Sequence, residues 1–355
     1  MIKRDTISTA KAWGIRLAAV ALSLIVAGLV IVAITKQNPI QAYLGIIDGA
    51  VGSSRRVWVT IRETLVLLCI AIGLTPAFKM KFWNIGAEGQ ILMGGMATAA
   101  LMIYAGDAMP NWLLLILIFI ASAAAGLIWG LIPAVFKAYF NTNETLFTLM
   151  LNYVAMQLVT FAIVFWENPS GSNTVGIINA AGQKGWFPSI FGNMYGLNVI
   201  VVLIITLGMY VYMKYSKQGY EIAVVGESQN TARYAGINVK KVIIRTMMLS
   251  GAICGIAGCL IVSGASHTIS TSTAGGRGFT AIIVAWMSKF NPFAMILVSA
   301  FLVFMQQGSI QIASQFGLNE NASDIITGIL LFFLIGCEFF INYKLEWKKN
   351  HKEGK

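Results

Sequence analysis

The residues best placed to do chemistry in this chain lie between Phe82 and Gly94, which reads Phe-Trp-Asn-Ile-Gly-Ala-Glu-Gly-Gln-Ile-Leu-Met-Gly. One acid, Glu88, two amides, Asn84 and Gln90, and three glycines stand together where an apolar segment begins. A carboxylate facing lipid would cost about 3 kcal/mol on insertion scales, so such groups face a protein interior or a water-filled cavity and mark candidate functional positions. Glycine at that depth fits non-helical backbone lining a pathway. The alternative role for Glu88 is structural: it would occupy the first turn of a helix, where the macrodipole favours an anion by about 0.3–1 kcal/mol, with Asn84 near the N-cap. A second polar set, Glu144 and Asn152, is eight residues apart, a spacing that places both on one side of a continuous helix. Pathway lining, an interhelical hydrogen bond and an interfacial position are all open to that pair.

Other chemistries are absent from the sequence. No Gly-x-x-x-x-Gly-Lys-Ser/Thr run occurs, so the chain has no P-loop for ATP. Its two histidines, His267 and His351, show no metal-ligand spacing, and His267 is expected at the surface of an outer helix end. No Ser/His/Asp or Cys/His set is apparent. The four cysteines, Cys69, Cys254, Cys259 and Cys337, lie singly in apolar stretches and read as small packing residues. No cofactor, metal or bond-making chemistry is expected, and a membrane enzyme is the weakest functional class.

The elements that must position these residues are transmembrane helices. The chain is 57% hydrophobic and 11% charged, with mean hydropathy +0.75, against about 25% charged residues in soluble domains. Apolar segments near 14–35, 61–78, 84–105, 111–135, 145–166, 197–213, 246–265, 278–290, 292–308 and 324–342 predict an all-α polytopic membrane protein with about ten spans in a single domain over 1–355. The segments 278–290 and 292–308 are short and could be half-helices around a break at Asn291-Pro292. The basic run Lys3, Arg4, Lys11 and Arg16 before the first segment reads as the flank of an uncleaved span.

The net charge of +11 follows topology, not a nucleic-acid surface. With the N-terminus inside, 19 of the 25 Lys and Arg residues fall on the cytoplasmic side, and both termini are placed there. The six exceptions are Lys36, Arg55, Arg56, Arg62, Lys184 and Arg277. Arg55 and Arg56 put a short interfacial helix in the first external loop. Trp58, Trp83, Trp112, Trp166, Trp186 and Trp347 lie near span ends and read as interface anchors, with substrate stacking a second role for Trp83.

Two loops stand out. The external segment 167–196 is rich in turn formers and long enough to cap a pore or meet an external partner. The cytoplasmic segment 214–245 contains a short helix from Ser228 to Ala235, with Ser228 as N-cap and Gly236 as stop. The patterns Gly251-x-x-x-Gly255-x-x-Gly258 and Ala121 to Gly130 predict close helix–helix contact.

Several of these residues carry a family resemblance. Asn84-Ile85-Gly86-Ala87-Glu88-Gly89-Gln90 resembles the Asn-Ile-Gly-x-Glu-Gly-Gln signature of ABC importer permeases for nucleosides and simple sugars. Gly219-Tyr220-Glu221 through Gly226-Glu227, then Ala232-Arg233-Tyr234-Ala235-Gly236-Ile237, is similar to that family's ATPase-coupling loop. Ser250-Gly251-Ala252 with Gly255-Ile256-Ala257-Gly258, Asn143-Glu144 with Met150-x-Asn152-Tyr153, and Gly276-x-Gly278-Phe279-Thr280-Ala281-Ile282 follow in the family's style, colinear from about 60 to 340. The longer of two paired nucleoside permeases is the nearer match. One departure stands out: after Ile282 the family often has Ala-Val-Ala-Leu-Leu-Gly, where this chain has Ile283-Val284-Ala285-Trp286-Met287-Ser288-Lys289.

The resemblance implies a type II-like ABC importer permease of the bacterial plasma membrane, carrying a small polar solute, first a nucleoside and alternatively a simple sugar. It implies two cytoplasmic ATPases, a second permease subunit in a homodimer or heterodimer, an external solute-binding lipoprotein, contact with membrane lipid and no nucleic acid. Asn84, Glu88, Gln90, Glu144 and Asn152 are the expected pathway residues. Glu227, Arg233 and Gly236 are the expected ATPase-coupling residues. An ion-gradient-driven secondary transporter is the alternative from another class, with Glu88 its one serious titratable candidate.

Overall fold

The fold was obtained as a computed structural model, which describes residues 2–3, 8–35, 39–190 and 192–317 and scattered positions between 325 and 344. The described elements are almost entirely helical: α1 (Thr9–Thr35), α2 (Pro39–Val51), α3 (Ser54–Lys79), α4 (Ala87–Ala105), α5 (Asn111–Phe140), α6 (Glu144–Trp166), α7 (Gly196–Tyr215), α8 (Lys217–Glu227), α9 (Gln229–Tyr234), α10 (Val239–Ile261), α11 (Arg277–Met287) and α12 (Pro292–Gln315). A π-helical turn, Val262–Ser266, extends α10. A two-residue antiparallel ladder pairs Ile2–Lys3 with Tyr343–Lys344.

Among the described residues six helices are long and apolar enough to cross a membrane: α3, α5, α6, α7, α10 with its π turn, and α12. The expected segment 324–342 and Trp347 lie outside the continuously described residues. At 278–290 the structure holds only the eleven residues of α11, about 16 Å of helix where a bilayer core needs about 30 Å. The break after it is a turn in which Lys289 and Phe290 take positive φ. Asn291 then caps α12 through Oδ1, which accepts from Phe293 N at 3.0 Å, and Pro292 takes the first helical position. The segment beginning at 292 is therefore a full-length helix of 24 residues, not a half-helix.

The chain divides into two compact units, Met1–Thr60 with Phe301–Lys355, and Ile61–Ala300. In the first, Ala27, Ile46, Met305 and Ile312 form a small core, and the short helix α2 precedes Arg55 and Arg56, where an interfacial helix was expected. Arg56 pairs with Asp48.

The second unit is organised by α4, α5 and α10. A Cβ on Gly126 would lie 2.2 Å from Gly251 O, one on Gly255 2.2 Å from Ser122 O, one on Gly94 2.2 Å from Gly255 O, and one on Gly258 2.2 Å from Ile91 O. The backbones therefore touch, as both small-residue patterns predicted. In a membrane, where lipid is as apolar as leucine, such close packing is what holds helices together. All four cysteines are buried.

Candidate functional site

The signature begins where α3 ends. Residues 80–86 are non-helical, turned by Lys81 at φ +59°. Phe82 N bonds Ala77 O at 2.9 Å, closing the helix end. Four backbone N–H groups at the start of α4 need acceptors from outside the helix. Its N-cap, Gly86, has no side chain to offer, so the acceptor comes from elsewhere. Asn152 of α6 accepts from Gly89 N through Oδ1 and donates through Nδ2 to Ile85 O, both at 2.9 Å. Thr148, one turn earlier, accepts from Ile85 N at 3.2 Å. A side chain on α6 thus caps α4 across a helix–helix contact. Replacing Asn152 with leucine leaves a buried N–H and a buried C=O unpaired at about 1–3 kcal/mol each. The expected result is a loss of about 3 kcal/mol, read as a clear fall in melting temperature of the detergent-purified chain.

Asn84 is fully buried and stands two residues before the N-cap Gly86, near the cap as expected from sequence. Its Oδ1 accepts from Gly86 N at 3.0 Å, and its amide forms a reciprocal pair with that of Gln90 at 3.3 Å in both directions. Its Nδ2 also lies 3.3 Å from Ser250 Oγ on α10. The amides of Asn84, Gln90 and Asn152 are therefore spent on fixing this bend. Glu144 lies apart from them: it opens α6, behind the N-cap Asn143, and pairs with Lys137 of α5 at 2.9 Å.

Glu88 is 8% exposed and is held differently. It occupies the first turn of α4, and its Oε1 accepts from Gly278 N, in the first turn of α11, at 2.8 Å. One carboxylate thus faces two helix N-termini, where both macrodipoles favour its charge. Gly278 permits the approach, since a Cβ there would lie 2.8 Å from Glu88 N.

The residue before Gly278 joins a charge group that sequence reading did not single out. Arg277 Nη2 pairs with Glu63 Oε2 at 2.8 Å, and Arg62 pairs with the other oxygen of the same carboxylate. Arg62 and Arg277 were two of the six basic residues off the cytoplasmic side. Their acidic partner explains the exception, and an acid beside an arginine at the head of an apolar segment was the available signal.

Trp83 and Trp286 stack with ring centroids 5.6 Å apart and planes 21° apart, while about 45% of each residue stays exposed. The departure at Trp286 and the tryptophan of the signature thus form one aromatic surface, with Phe78 edge-on to both.

The segment 214–245 is mostly helix. α8 and α9 meet at Ser228, whose side chain caps α9 by accepting from Thr231 N, and Gly236 ends it at φ +76°. Ile222, Val225 and Ala232 are buried in one cluster with Ala77, Met80 and Phe82. A Cβ on Gly226 would lie 2.0 Å from Lys79 O. Glu227, Arg233 and Gly236 are exposed, and Tyr234 stands 93% exposed.

At the other end of α10, the segment 167–196 folds over the helix ends. Asn179 donates to Met102 O at 2.7 Å, Gly185 N to Asn111 Oδ1 at 2.8 Å, and Ile178 N to His267 O at 2.8 Å. His267 caps the π turn at the helix end, as expected from sequence, but is half-buried and stacks on Trp186 at 3.7 Å. Burial, reinforced by the Arg62 guanidinium, holds its imidazole below the usual value.

A bundle of long apolar helices with a buried polar bend before α4, and an exposed short helix packed against that bend, is the architecture of a polytopic membrane protein. The chain matches the family model described as branched-chain amino acid transport system / permease component over residues 59–335, and it belongs to that family. It is similar to the guanosine ABC transporter permease protein NupP of Bacillus subtilis, at 29% identity over 311 residues covering 87% of this chain and 89% of that one. It is similar to the nucleoside ABC transporter permease protein NupB of Lactococcus lactis, at 26% identity with 90% and 89% covered. It also resembles the glucose ABC transporter permease protein TsgB13 of Haloferax volcanii, at 26% identity with 96% and 92% covered. No solved structure matches the chain. The protein is thus a multi-pass membrane permease subunit of an ABC transporter; it is a transport component and not itself an enzyme.

Proposed function

We propose that this subunit forms part of the passage by which an ATP-driven importer moves a nucleoside across the bacterial plasma membrane. The observation that carries the solute class is similarity over about nine-tenths of the chain to permeases named for guanosine and nucleosides. A simple sugar is the second reading, favoured by similarity to a glucose permease over 96% of the chain. Two cytoplasmic ATPases supply the energy, a second permease subunit completes the passage, and an external lipoprotein delivers the solute. Both termini face the cytoplasm, and residues 1–355 act as one permease domain. Glu88 shapes the passage where α4 and α11 meet, and the bend built by Asn84, Gln90 and Asn152 holds it there, with Glu144 at the head of α6.

Coupling is mechanical in this reading. The exposed face of α9, with Arg233 and the flanking Glu227 and Gly236, docks on an ATPase. Because α8 and α9 pack on Ala77, Met80 and Phe82, a displacement of α9 is passed through a close-packed cluster to the bend that leads to Glu88. Arg233→Glu alters an exposed charge and is expected to change stability by less than about 0.5 kcal/mol. Solute-stimulated ATP hydrolysis by the reconstituted transporter is expected to fall at least tenfold, and stimulation at the wild-type level would exclude Arg233 from docking.

The function is tested by uptake into proteoliposomes holding the assembled transporter. Vanadate-sensitive accumulation of guanosine, with no effect of an ionophore at constant ATP, is expected. Glucose accumulation in its place would establish the sugar reading. Loss of uptake on adding the ionophore would move the protein to the secondary transporters.

A further inference from the structure

Three lysines from distant parts of the sequence line one cavity. Lys79 ends α3, Lys214 is in the last turn of α7, and Lys289 lies in the turn after α11. They surround a pocket of about 350 Å3 whose walls include Met209, Met213 and Phe290. Among the described residues no carboxylate pairs with any of the three. The Lys214 ammonium lies over the rings of Tyr210 and Tyr215, 5.2 and 5.3 Å from their centroids, and its Nζ donates to Tyr210 Oη at 2.9 Å.

We propose that this pocket binds the phosphate-bearing headgroup of an anionic phospholipid drawn from the surrounding leaflet. The C-termini of α3 and α7 present carbonyls and not N–H groups, while Asn291 and Pro292 open α12 on the same pocket, so the lysine ammoniums act together with one helix N-terminus in attracting an anion. Concentrated cationic charge at the end of membrane helices is the pattern that anionic headgroups recognise. The apolar walls favour a lipid over a free anion, and the two neighbouring helices carry exposed apolar side chains. Ile204, Leu207 and Val211 on α7 and Phe293 and Leu297 on α12 are all exposed. The Tyr210 and Phe293 rings meet edge-on, 5.7 Å apart, joining α7 to the first turn of α12. Acyl chains lying there would continue directly from a headgroup held by the lysines. The carbonyl of Lys79 packs on Gly226 of α8, so the headgroup sits beside the helix that carries α9. This site is separate from the proposed solute passage, and its test is independent of which solute is carried.

The test is native mass spectrometry of the detergent-purified full-length chain with phosphatidylglycerol, phosphatidylcholine or inorganic phosphate. Phosphatidylglycerol adducts are expected to exceed phosphatidylcholine adducts at least tenfold. The K79Q/K214Q/K289Q variant is expected to abolish that preference, and K79R/K214R/K289R to keep it. Lys289→Glu, a single change in an exposed turn, is expected to cut it at least threefold and serves if the triple variant does not fold. Equal binding of the two lipids by wild type overturns the proposal. So does an equal loss in K217Q/K240Q/K241Q, which removes the same charge from the same end and would indicate only a diffuse basic surface. Displacement of phosphatidylglycerol by millimolar inorganic phosphate would assign the pocket to a free anion instead.

Discussion

Gly255→Ala is expected to destabilise the detergent-purified chain by about 3 kcal/mol, the upper range of overpacking costs, although it adds a single methyl group. That methyl would lie 2.2 Å from Ser122 O and 3.0 Å from Gly126 Cα, while on the α4 side a Cβ on Gly94 would lie as close to Gly255 O. The neighbours are backbone atoms of two helices, so no side-chain rotamer can make room. The seam must open along α4, α5 and α10 together, and interiors packed to crystal-like density transmit such strain. Gly208 in α7 provides the contrast: a Cβ there would meet nothing within 4 Å. Gly208→Ala is expected to be neutral or to stabilise by up to about 1 kcal/mol through helix propensity. Thermal unfolding followed by size-exclusion chromatography separates the two. A Gly255→Ala protein as stable as Gly208→Ala would mean that the backbones do not touch.

Glu88→Ala and Glu88→Gln are expected to lower uptake at least tenfold while leaving an inserted, folded protein. Both variants remove a charge set against the N-termini of α4 and α11. Each macrodipole interaction amounts to about 0.3–1 kcal/mol, rising to about 2 in partly buried settings. That loss is small beside the seam change in Gly255→Ala but acts where two helices meet. Alanine also removes the acceptor of Gly278 N; glutamine keeps an acceptor of similar reach and loses only the charge. If transport depends on holding α11, glutamine retains more uptake than alanine. If it depends on the charge, the two fall together. Wild-type uptake by Glu88→Ala would remove this residue from the mechanism.

Parts of this site were legible because they are local. Ser228 and Gly236 bracket a short helix, and both the N-cap and the positive-φ stop are properties of a few consecutive residues. The small-residue patterns predicted close contact because spacing along a helix determines which residues share a face. The partners of the polar residues were not legible. An interhelical hydrogen bond was among the readings open to Asn152, but that it would cap α4 was not legible. Glu63 went unnoticed, and Arg62 and Arg277 stood as exceptions to a charge rule until one carboxylate was found between them. Asn84 lies near the cap as expected and accepts from Gly86 N, but its pairing with Gln90 was not legible.

The sequence by itself determined that this protein lives in a membrane, that it is helical, which stretches hold its main helices, and which family its ordered motifs resemble. Those are consequences of hydropathy, period and local backbone chemistry, each of which is set within one segment. Only the tertiary structure decided that one carboxylate faces two helix N-termini, that two tryptophans share a surface and that three lysines line one cavity. Each of these joins residues far apart in the chain. A buried polar group must find a partner because water is not there to supply one, but that requirement does not say which partner; only the packing of α4, α5, α6, α10 and α11 does.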